Sequence, residues 1–295
     1  MLLIWLDKET RLTPWRLSKK RTLTSKRWGF YFDFDKDYCI IMIMEYNTFY
    51  NEDCLETMKK MEPNSIHCVI TSPPYNMTKR KGGYADKQPR YDEYQDWKNE
   101  EEYNSWTCNI FNNIDNILVK NGVILYNFSY SIENPSLPYT MMASIIQNTP
   151  FMVADTIIWK KSNSIPHPAS YNRLNRIVEF VFVVVRKKEL KTFNCYKQVS
   201  KISPKGQKYY EIVDNFITAK NNDESTDLNK ATYSTELCTK LMNVYTKEGD
   251  IVYDPFMGTG TTGLACKLNN RLFVGSEISK SQVDYSNDRI KEKLL

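Results

Sequence analysis

The stretch Ile251-Val252-Tyr253-Asp254-Pro255-Phe256-Met257-Gly258-Thr259-Gly260-Thr261-Thr262 runs from a short apolar strand, through a glycine turn, into the helix-forming residues Thr261 to Leu268. Glycines at 258 and 260 let the backbone approach another group with no Cβ in the way. The turn departs from GxGxxG spacing, and it lacks the lysine that a phosphate-gripping P-loop requires. Leu272 to Val274 returns as a strand, and Ser279 caps a terminal helix reaching Leu294. Upstream, Thr235 to Tyr245 carries Leu237, Leu241 and Val244 at helical spacing, closed by Gly249-Asp250.

The same alternation runs through the N-terminal part. Tyr46 to Tyr50 reads as a short strand, followed by Asn51, Glu52 and Asp53. Leu55, Met58 and Met61 mark a helix over 54–61 that Pro63-Asn64 stops. Ile66 to Ile70 is a buried strand that runs into Thr71-Ser72-Pro73-Pro74-Tyr75-Asn76. Between about Glu100 and Val119, Tyr103, Trp106, Ile110, Ile114, Ile117 and Leu118 define an amphipathic helix ended by Asn121-Gly122. Val123 to Phe128 is a strand, Pro138 to Gln147 a helix and Val153 to Trp159 a strand. The β-branched run Ile177 to Val185 predicts a central or nearly central strand. This alternation predicts a doubly wound α/β fold, a mostly parallel seven-stranded sheet covered on both faces, with an antiparallel edge hairpin. Tyr38 to Met44 is a further strand beside it. The domain plan is a basic arm 1–37, a catalytic half 38–185 with a mobile loop 78–98, a variable region 186–230, and a cofactor-binding half 231–295.

A chain of 295 residues suffices for one large core with at most a modest lobe. The formal charge of +5 is compatible with a phosphate backbone without proving such a partner. It is unevenly spread: Lys8, Arg11, Arg16, Lys19, Lys20, Arg21, Lys26 and Arg27 face only Asp7 and Glu9, a pattern equally suited to a phosphate-contacting arm or a solvated tail. Seven cysteines without a CxxC pair favour a reducing, cytoplasmic compartment and make a zinc cluster improbable; no metal site is expected. Met1 to Leu6 is too short for a signal-peptide core, and no apolar run is long enough to span a bilayer.

The two turns carry the chemistry. Consecutive prolines after a buried strand pin φ twice and leave carbonyls without N–H groups. Ser72 Oγ and the Pro73 carbonyl can hold the two N–H bonds of an exocyclic amine, with Tyr75 stacked on its ring. The bland reading is a proline-stiffened strand end. Asp254 is suited to the amino end of a cationic ligand, Glu277 to ribose hydroxyls and Asp53 to an adenine amino group. Each alone is more often a solvent-facing strand end. Their joint placement at carboxyl ends of strands favours one shared site.

Thr71-Ser72-Pro73-Pro74-Tyr75-Asn76 resembles the catalytic motif of amino-group DNA methyltransferases, and Asp254 to Thr262 resembles their S-adenosylmethionine motif. Their order, catalytic motif first, is similar to the permuted beta class. Asn51-Glu52-Asp53-Cys54-Leu55, the strand ending in Arg186-Lys187-Lys188, and Gly275-Ser276-Glu277 add to the likeness. The resemblance implies a Rossmann-like methyltransferase domain with a small variable DNA-recognition region. It implies catalytic Ser72, Pro73, Pro74 and Tyr75. It places S-adenosylmethionine against Asp53, Thr71, Thr232, Asp254, Pro255, Phe256, Gly258, Thr259, Gly260, Thr261 and Glu277. The family's His-Pro-Ala is replaced by Lys230-Ala231-Thr232-Tyr233, with Thr232 the substitute.

The implied substrate is double-stranded DNA, with Asn76, Lys79, Arg80, Lys160, His167, Lys197, Lys201 and Lys205 as candidate contacts, alongside Lys208. Lys197, Lys201, Lys205 and Lys208 read equally well as solvated surface, and His167 as a simple loop residue. The shortness of 186–230 leaves room for a homodimer to share the DNA grip, and a cognate restriction endonuclease is a candidate partner. Serine before Pro-Pro-Tyr is the form usual for cytosine N4, with adenine N6 second. RNA or protein methylation and a non-catalytic DNA-binding subunit are the other readings. Attack on cytosine C5 is not expected, since no Pro-Cys pair exists.

Overall fold

The apolar runs at 66–71 and 251–254 lie side by side in parallel, Val252 opposite Cys68 and Tyr253 opposite Val69. This pairing, between segments far apart in sequence, organises the molecule. The computed structural model describes residues 4–7, 28–31, 38–76, 98–129, 134–164, 171, 174–223, 228–229 and 232–294, with side chains from Met44 onward.

β1 (Ile4–Asp7), β2 (Trp28–Tyr31) and β3 (Tyr38–Glu45) form a separate antiparallel sheet in the order β1-β3-β2. The strand expected at Tyr38 to Met44 is thus present, and residues 1–37, expected only as a basic arm, supply its two partners. The chain then continues through β4 (Thr48–Tyr50), α1 (Cys54–Lys59), β5 (Ile66–Thr71), α2 (Glu100–Ile117), β6 (Leu118–Phe128), α3 (Leu137–Asn148), β7 (Phe151–Lys161) and β8 (Val178–Arg186). It ends with β9 (Val199–Ile202), β10 (Lys208–Tyr210), β11 (Phe216–Ala219), α4 (Thr235–Tyr245), β12 (Ile251–Asp254), α5 (Thr261–Leu268), β13 (Leu272–Ser276) and α6 (Lys280–Leu294).

The main sheet has the order β11-β7-β8-β6-β5-β12-β13-β4. All neighbours are parallel except at β8, which is antiparallel to both β6 and β7. The seven expected strands and their antiparallel hairpin are present, and β11 adds an eighth strand outside β7. β7 left at the edge would expose a row of unpaired backbone groups, and β11 pairs with its last four residues, Ile158–Lys161. A second difference lies at Asn121-Gly122, expected to terminate a helix. α2 ends at Ile117, and Asn121 adopts a left-handed conformation (φ 62°) inside β6, where the register with β5 slips. A Cβ on Gly122 would lie 2.7 Å from Leu118 Cγ, so the irregular strand closes on itself only with glycine there.

Two-residue periodicity divides the core between the sheet's faces. On one face Val69, Ile124, Tyr126 and Phe128 pack with Ile110, Phe111, Ile114, Met141 and Ile145 of α2 and α3. On the other, Cys68, Ile70, Val123 and Leu125 join Leu237, Leu241, Ala265 and Val283 of α4, α5 and α6. Each fully buried large apolar side chain contributes roughly 1.5–3 kcal/mol. Sheet and helices therefore hold the carboxyl ends of β5 and β12 in a fixed relation. Among the described residues, no helix is long and apolar enough to cross a membrane.

Candidate active site

Thr71, the last residue of β5, donates from its hydroxyl to Asp254, the last residue of β12, at 2.6 Å. That bond joins the two sequence motifs. Asp254 is wholly buried and also accepts from Thr262 Oγ1 (2.6 Å), Tyr233 OH (2.9 Å) and the Phe256 amide (3.0 Å). Burial pushes its carboxyl above the ordinary carboxylate value against the opposing pull of these hydrogen bonds.

The turns that follow share one cavity of about 1090 Å³, counting the open solvent at its mouth. Ser72 and Pro74 line it from β5, and Pro255, Phe256, Gly258, Thr259 and Thr261 line it from β12 and α5. Asp53, Thr232 and Glu277 complete the expected wall. Three expected cofactor residues stand elsewhere. Thr71 and Asp254 bond to each other behind the cavity, where desolvation leaves Asp254 no opening toward a ligand. Gly260 (φ 79°) faces α6, and a Cβ there would meet Ser286 Cβ at 2.7 Å, so its glycine serves helix packing. Gly258 (φ 54°) does line the cavity, with Asn229 Nδ2 3.0 Å from the position of a Cβ.

Asp53 caps α1, accepting from the Leu55 amide at 2.8 Å while remaining exposed. Glu277 accepts from the amides of Gly258 and Ser279, each at 2.9 Å, which fixes the carboxylate at the end of β13. The Trp106 and Phe256 rings stand 5.5 Å apart and form an aromatic wall. Asn229 and Gln282, joined amide to amide at 3.0 Å, close the floor. Trp106, Asn229 and Gln282 were not foreseen from the sequence. Aromatic wall, carboxylates of Glu52, Asp53 and Glu277, and glycine approach together fit S-adenosylmethionine, whose sulfonium and amine are cationic and whose ribose donates hydroxyls.

On the other side of Ser72 lies a polar network. Ser72 Oγ and Tyr75 OH are 2.9 Å apart, and Tyr75 OH donates to Glu179 Oε2 at 3.0 Å. Asn127 Nδ2 reaches Tyr75 OH (2.7 Å), Glu179 (2.9 Å) and Ser72 Oγ (3.3 Å), while Lys161 Nζ bonds Glu179 Oε1 at 2.6 Å. One signal for this network was readable: Glu179 is a charged residue inside an apolar strand, and such a residue demands partners. Tyr75 is half-buried, with its ring tilted on Phe128 at 4.7 Å. Pro73 is buried, and the Pro74 carbonyl accepts from Tyr103 OH at 2.7 Å, which stiffens the turn. Burial raises the thiols of Cys54 and Cys68 well above their ordinary value, so neither supplies a thiolate nucleophile.

Asn76, expected to touch DNA, instead clamps residue 98. Its Nδ2 donates to the Lys98 carbonyl at 2.8 Å and its Oδ1 accepts from the Lys98 amide at 3.1 Å. Both amide atoms bond the backbone of residue 98. Lys79, Arg80 and His167 lie outside the described residues. Lys160 is exposed on β7, while Lys197, Lys201, Lys205 and Lys208 are exposed on or beside the β9–β10 hairpin, remote in sequence from both turns.

A doubly wound sheet carrying these two turns over one cavity defines the class: a Rossmann-like methyltransferase with its motifs in permuted order. A family profile described as DNA methylase, for N6 and N4 methyltransferases, matches residues 66–288. The chain belongs to that family and is an S-adenosylmethionine-dependent amino-group DNA methyltransferase. Among similar proteins, type II methyltransferase M.HinfI of Haemophilus influenzae is 27% identical over 257 residues, 83% of this chain and 68% of the relative. Type II methyltransferase M.Cfr9I of Citrobacter freundii is 24% identical over 276 residues, 83% of this chain and 87% of the relative. The solved PvuII DNA methyltransferase (cytosine-N4-specific) superposes with a TM-score of 0.62 at 18% identity, covering 83% and 89% of the two chains. The M1.HpyAVI–SAM complex gives 0.51 at 25% identity, covering 82% and 98%.

Proposed function

We propose that the chain methylates cytosine N4 in a specific duplex sequence, on a base rotated out of the helix. The Thr71–Asp254 bond carries this reading, because it sets the serine turn and the glycine turn on one cavity. Bound there, S-adenosylmethionine supplies an activated methyl group on a sulfonium. Glu277 and Asp53 would hold the nucleoside part, with Phe256 and Trp106 beside it, and Thr232, Asn229 and Gln282 would serve the methionine end. Ser72 Oγ and the Pro73 carbonyl grip the target amine and orient its lone pair toward the methyl carbon, with Pro74 and Tyr75 fixing the turn. Catalysis is then in-line placement with electrostatic support, and no covalent enzyme intermediate is required. Extrusion of the base costs a few kcal/mol, offset by hydrogen bonds and stacking in the pocket.

Serine supports cytosine over adenine because it is the form usual before Pro-Pro-Tyr in cytosine N4 enzymes; its hydroxyl is a weaker acceptor than a carboxylate and suffices where the flipped ring supplies its own polarisation. The β9–β10 hairpin supports the assignment of 186–230 to target recognition. It is a two-stranded ribbon of a kind the major groove admits, with exposed Tyr209, Tyr210 and Ile202 beside Lys201, Lys205 and Lys208. Lysines there would bind phosphate and set register, while base readout falls to other side chains. Residues 38–185 and 231–295 act as catalytic and cofactor halves. A homodimer and a cognate restriction endonuclease extend the same reading.

Mass spectrometry of nucleosides from DNA treated with the full chain tests the target base. N4-methylcytosine is expected, and accumulation of N6-methyladenine alone refutes the cytosine assignment.

A further inference from the structure

We infer that Glu179, paired with Lys161, sets the direction of the hydrogen bonds running to Ser72 and receives the proton that leaves the methylated amine. This rests on the assignment of Ser72 to the target amine, and it holds for either base.

The geometry gives a chain of donors with one allowed sense. A carboxylate only accepts and an ammonium only donates, so Lys161 and Glu179 fix the far end. Tyr75 has one hydroxyl proton and gives it to Glu179 Oε2. The 2.9 Å contact between Ser72 Oγ and Tyr75 OH is therefore made by the serine proton. With its proton committed, Ser72 presents lone pairs to the cavity it lines. A serine free to rotate would donate as readily as accept and would grip an amine only part of the time. Asn127 reinforces the order: its Nδ2, not its Oδ1, must face Glu179 Oε2 at 2.9 Å. The other end of that amide is left buried without a partner among the described residues, a cost tolerated beside the reacting position.

The same chain conducts a proton outward. As the nitrogen lone pair forms the C–N bond, the S–C bond breaks and its electron pair stays on sulfur, leaving the base amine with one proton too many. The N–H proton passes to Ser72 Oγ, the serine proton to Tyr75 oxygen and the tyrosine proton to Glu179. The N–H pair returns to nitrogen. Serine and tyrosine end with the proton count they began with, and Glu179 alone is changed. Lys161 and Glu179 side chains are 20% and 12% exposed, which lets water collect the proton and reset the site. Glu179 is thus a positioning residue and terminal acceptor that acts through Tyr75 and Ser72.

The test is single-turnover methyl transfer by the full chain to DNA from an unmodified host, for wild type, Glu179→Gln, Glu179→Asp and Lys161→Met. S-adenosylmethionine affinity is measured by calorimetry and folding by thermal melting. Glutamine keeps the shape but cannot take the proton, so Glu179→Gln should slow transfer about 100-fold while cofactor affinity stays within about twofold. Glu179→Asp, which keeps an accepting carboxylate, should recover at least about tenfold of the rate lost in Glu179→Gln. Lys161→Met removes the ammonium that holds Glu179 Oε1 and should slow transfer about tenfold with cofactor affinity unchanged. A Glu179→Gln rate within threefold of wild type overturns the inference, as does a loss of rate shared with lost cofactor binding or folding. A Lys161→Met rate within twofold of wild type overturns it too, even where the glutamine variant fails to fold. Wild-type protein that transfers no methyl group to DNA would instead strike at the functional assignment beneath.

Discussion

The two turns over the cavity are held in opposite ways. The turn after β12 is anchored from below, where Asp254 collects three hydroxyl donors and one amide entirely out of solvent. The turn after β5 is anchored sideways, by two prolines and a hydroxyl–carboxylate chain that ends in half-buried or nearly buried groups of β6, β7 and β8. The first keeps its polar atoms away from the ligand and presents backbone. The second spends its polar atoms at the wall. On the roles proposed above, the contrast follows from the chemistry of each turn: a cofactor cradle needs an unvarying shape, whereas an amine grip needs a hydroxyl in one defined donor sense.

If that division is right, damage to the first turn should appear as lost stability and damage to the second as lost rate. Asp254→Ala orphans the hydroxyls of Thr71, Thr262 and Tyr233 and the Phe256 amide, and should cost about 3 kcal/mol or more in denaturant unfolding, with cofactor binding lost alongside. Asp254 also gives a pH test. Its folded carboxyl titrates above the ordinary value, so only between the unfolded and folded values does the folded chain hold a proton that the unfolded chain has released. Its stabilising contribution is therefore full below the unfolded carboxylate pKa and is lost as pH rises through the raised one. The melting temperature of Asp254→Asn should lack that decline.

Ser72→Ala should leave melting and S-adenosylmethionine affinity nearly unchanged while single-turnover transfer drops about 100-fold. Equal losses in binding and rate would erase the distinction between the turns. Gly260→Ala meets both a left-handed backbone (φ 79°) and Ser286, and should destabilise by roughly 1–3 kcal/mol without changing the target base. The smallest effect belongs outside both turns. Lys201→Ala should lower the slope of log affinity against log salt by about one and weaken DNA binding similarly across sequences.

The cradle was far more legible in the sequence than the grip. α4 and α5 were readable to the residue because Leu237, Leu241 and the glycine turn give strong helical spacing and a sharp start. The Ser72 turn was legible because consecutive prolines have few uses. Its partners were not. Asn127 and Glu179 come from distant strands, and only sheet register brings them to Tyr75. Asp254 was read as a ligand contact since a strand-end carboxylate looks the same whether it faces outward or, as here, inward to Thr71. β11 escaped because Phe216-Ile217-Thr218-Ala219 is too short to carry a period. The close of α2 was misjudged because Asn121-Gly122 suits a helix end and a strand irregularity equally well.

β11 has a consequence for how new target sites can arise. The excursion that leaves β8 returns to the sheet beside β7, and on the way the Tyr196 amide bonds the Val244 carbonyl at 2.7 Å. The ribbon between is thereby fastened at both feet to scaffold that does not touch the ligand. On the proposed assignment of this ribbon to target recognition, a graft cut between 197 and 215 would act as a cassette: reading heads could be exchanged while the engine beneath them stays the same.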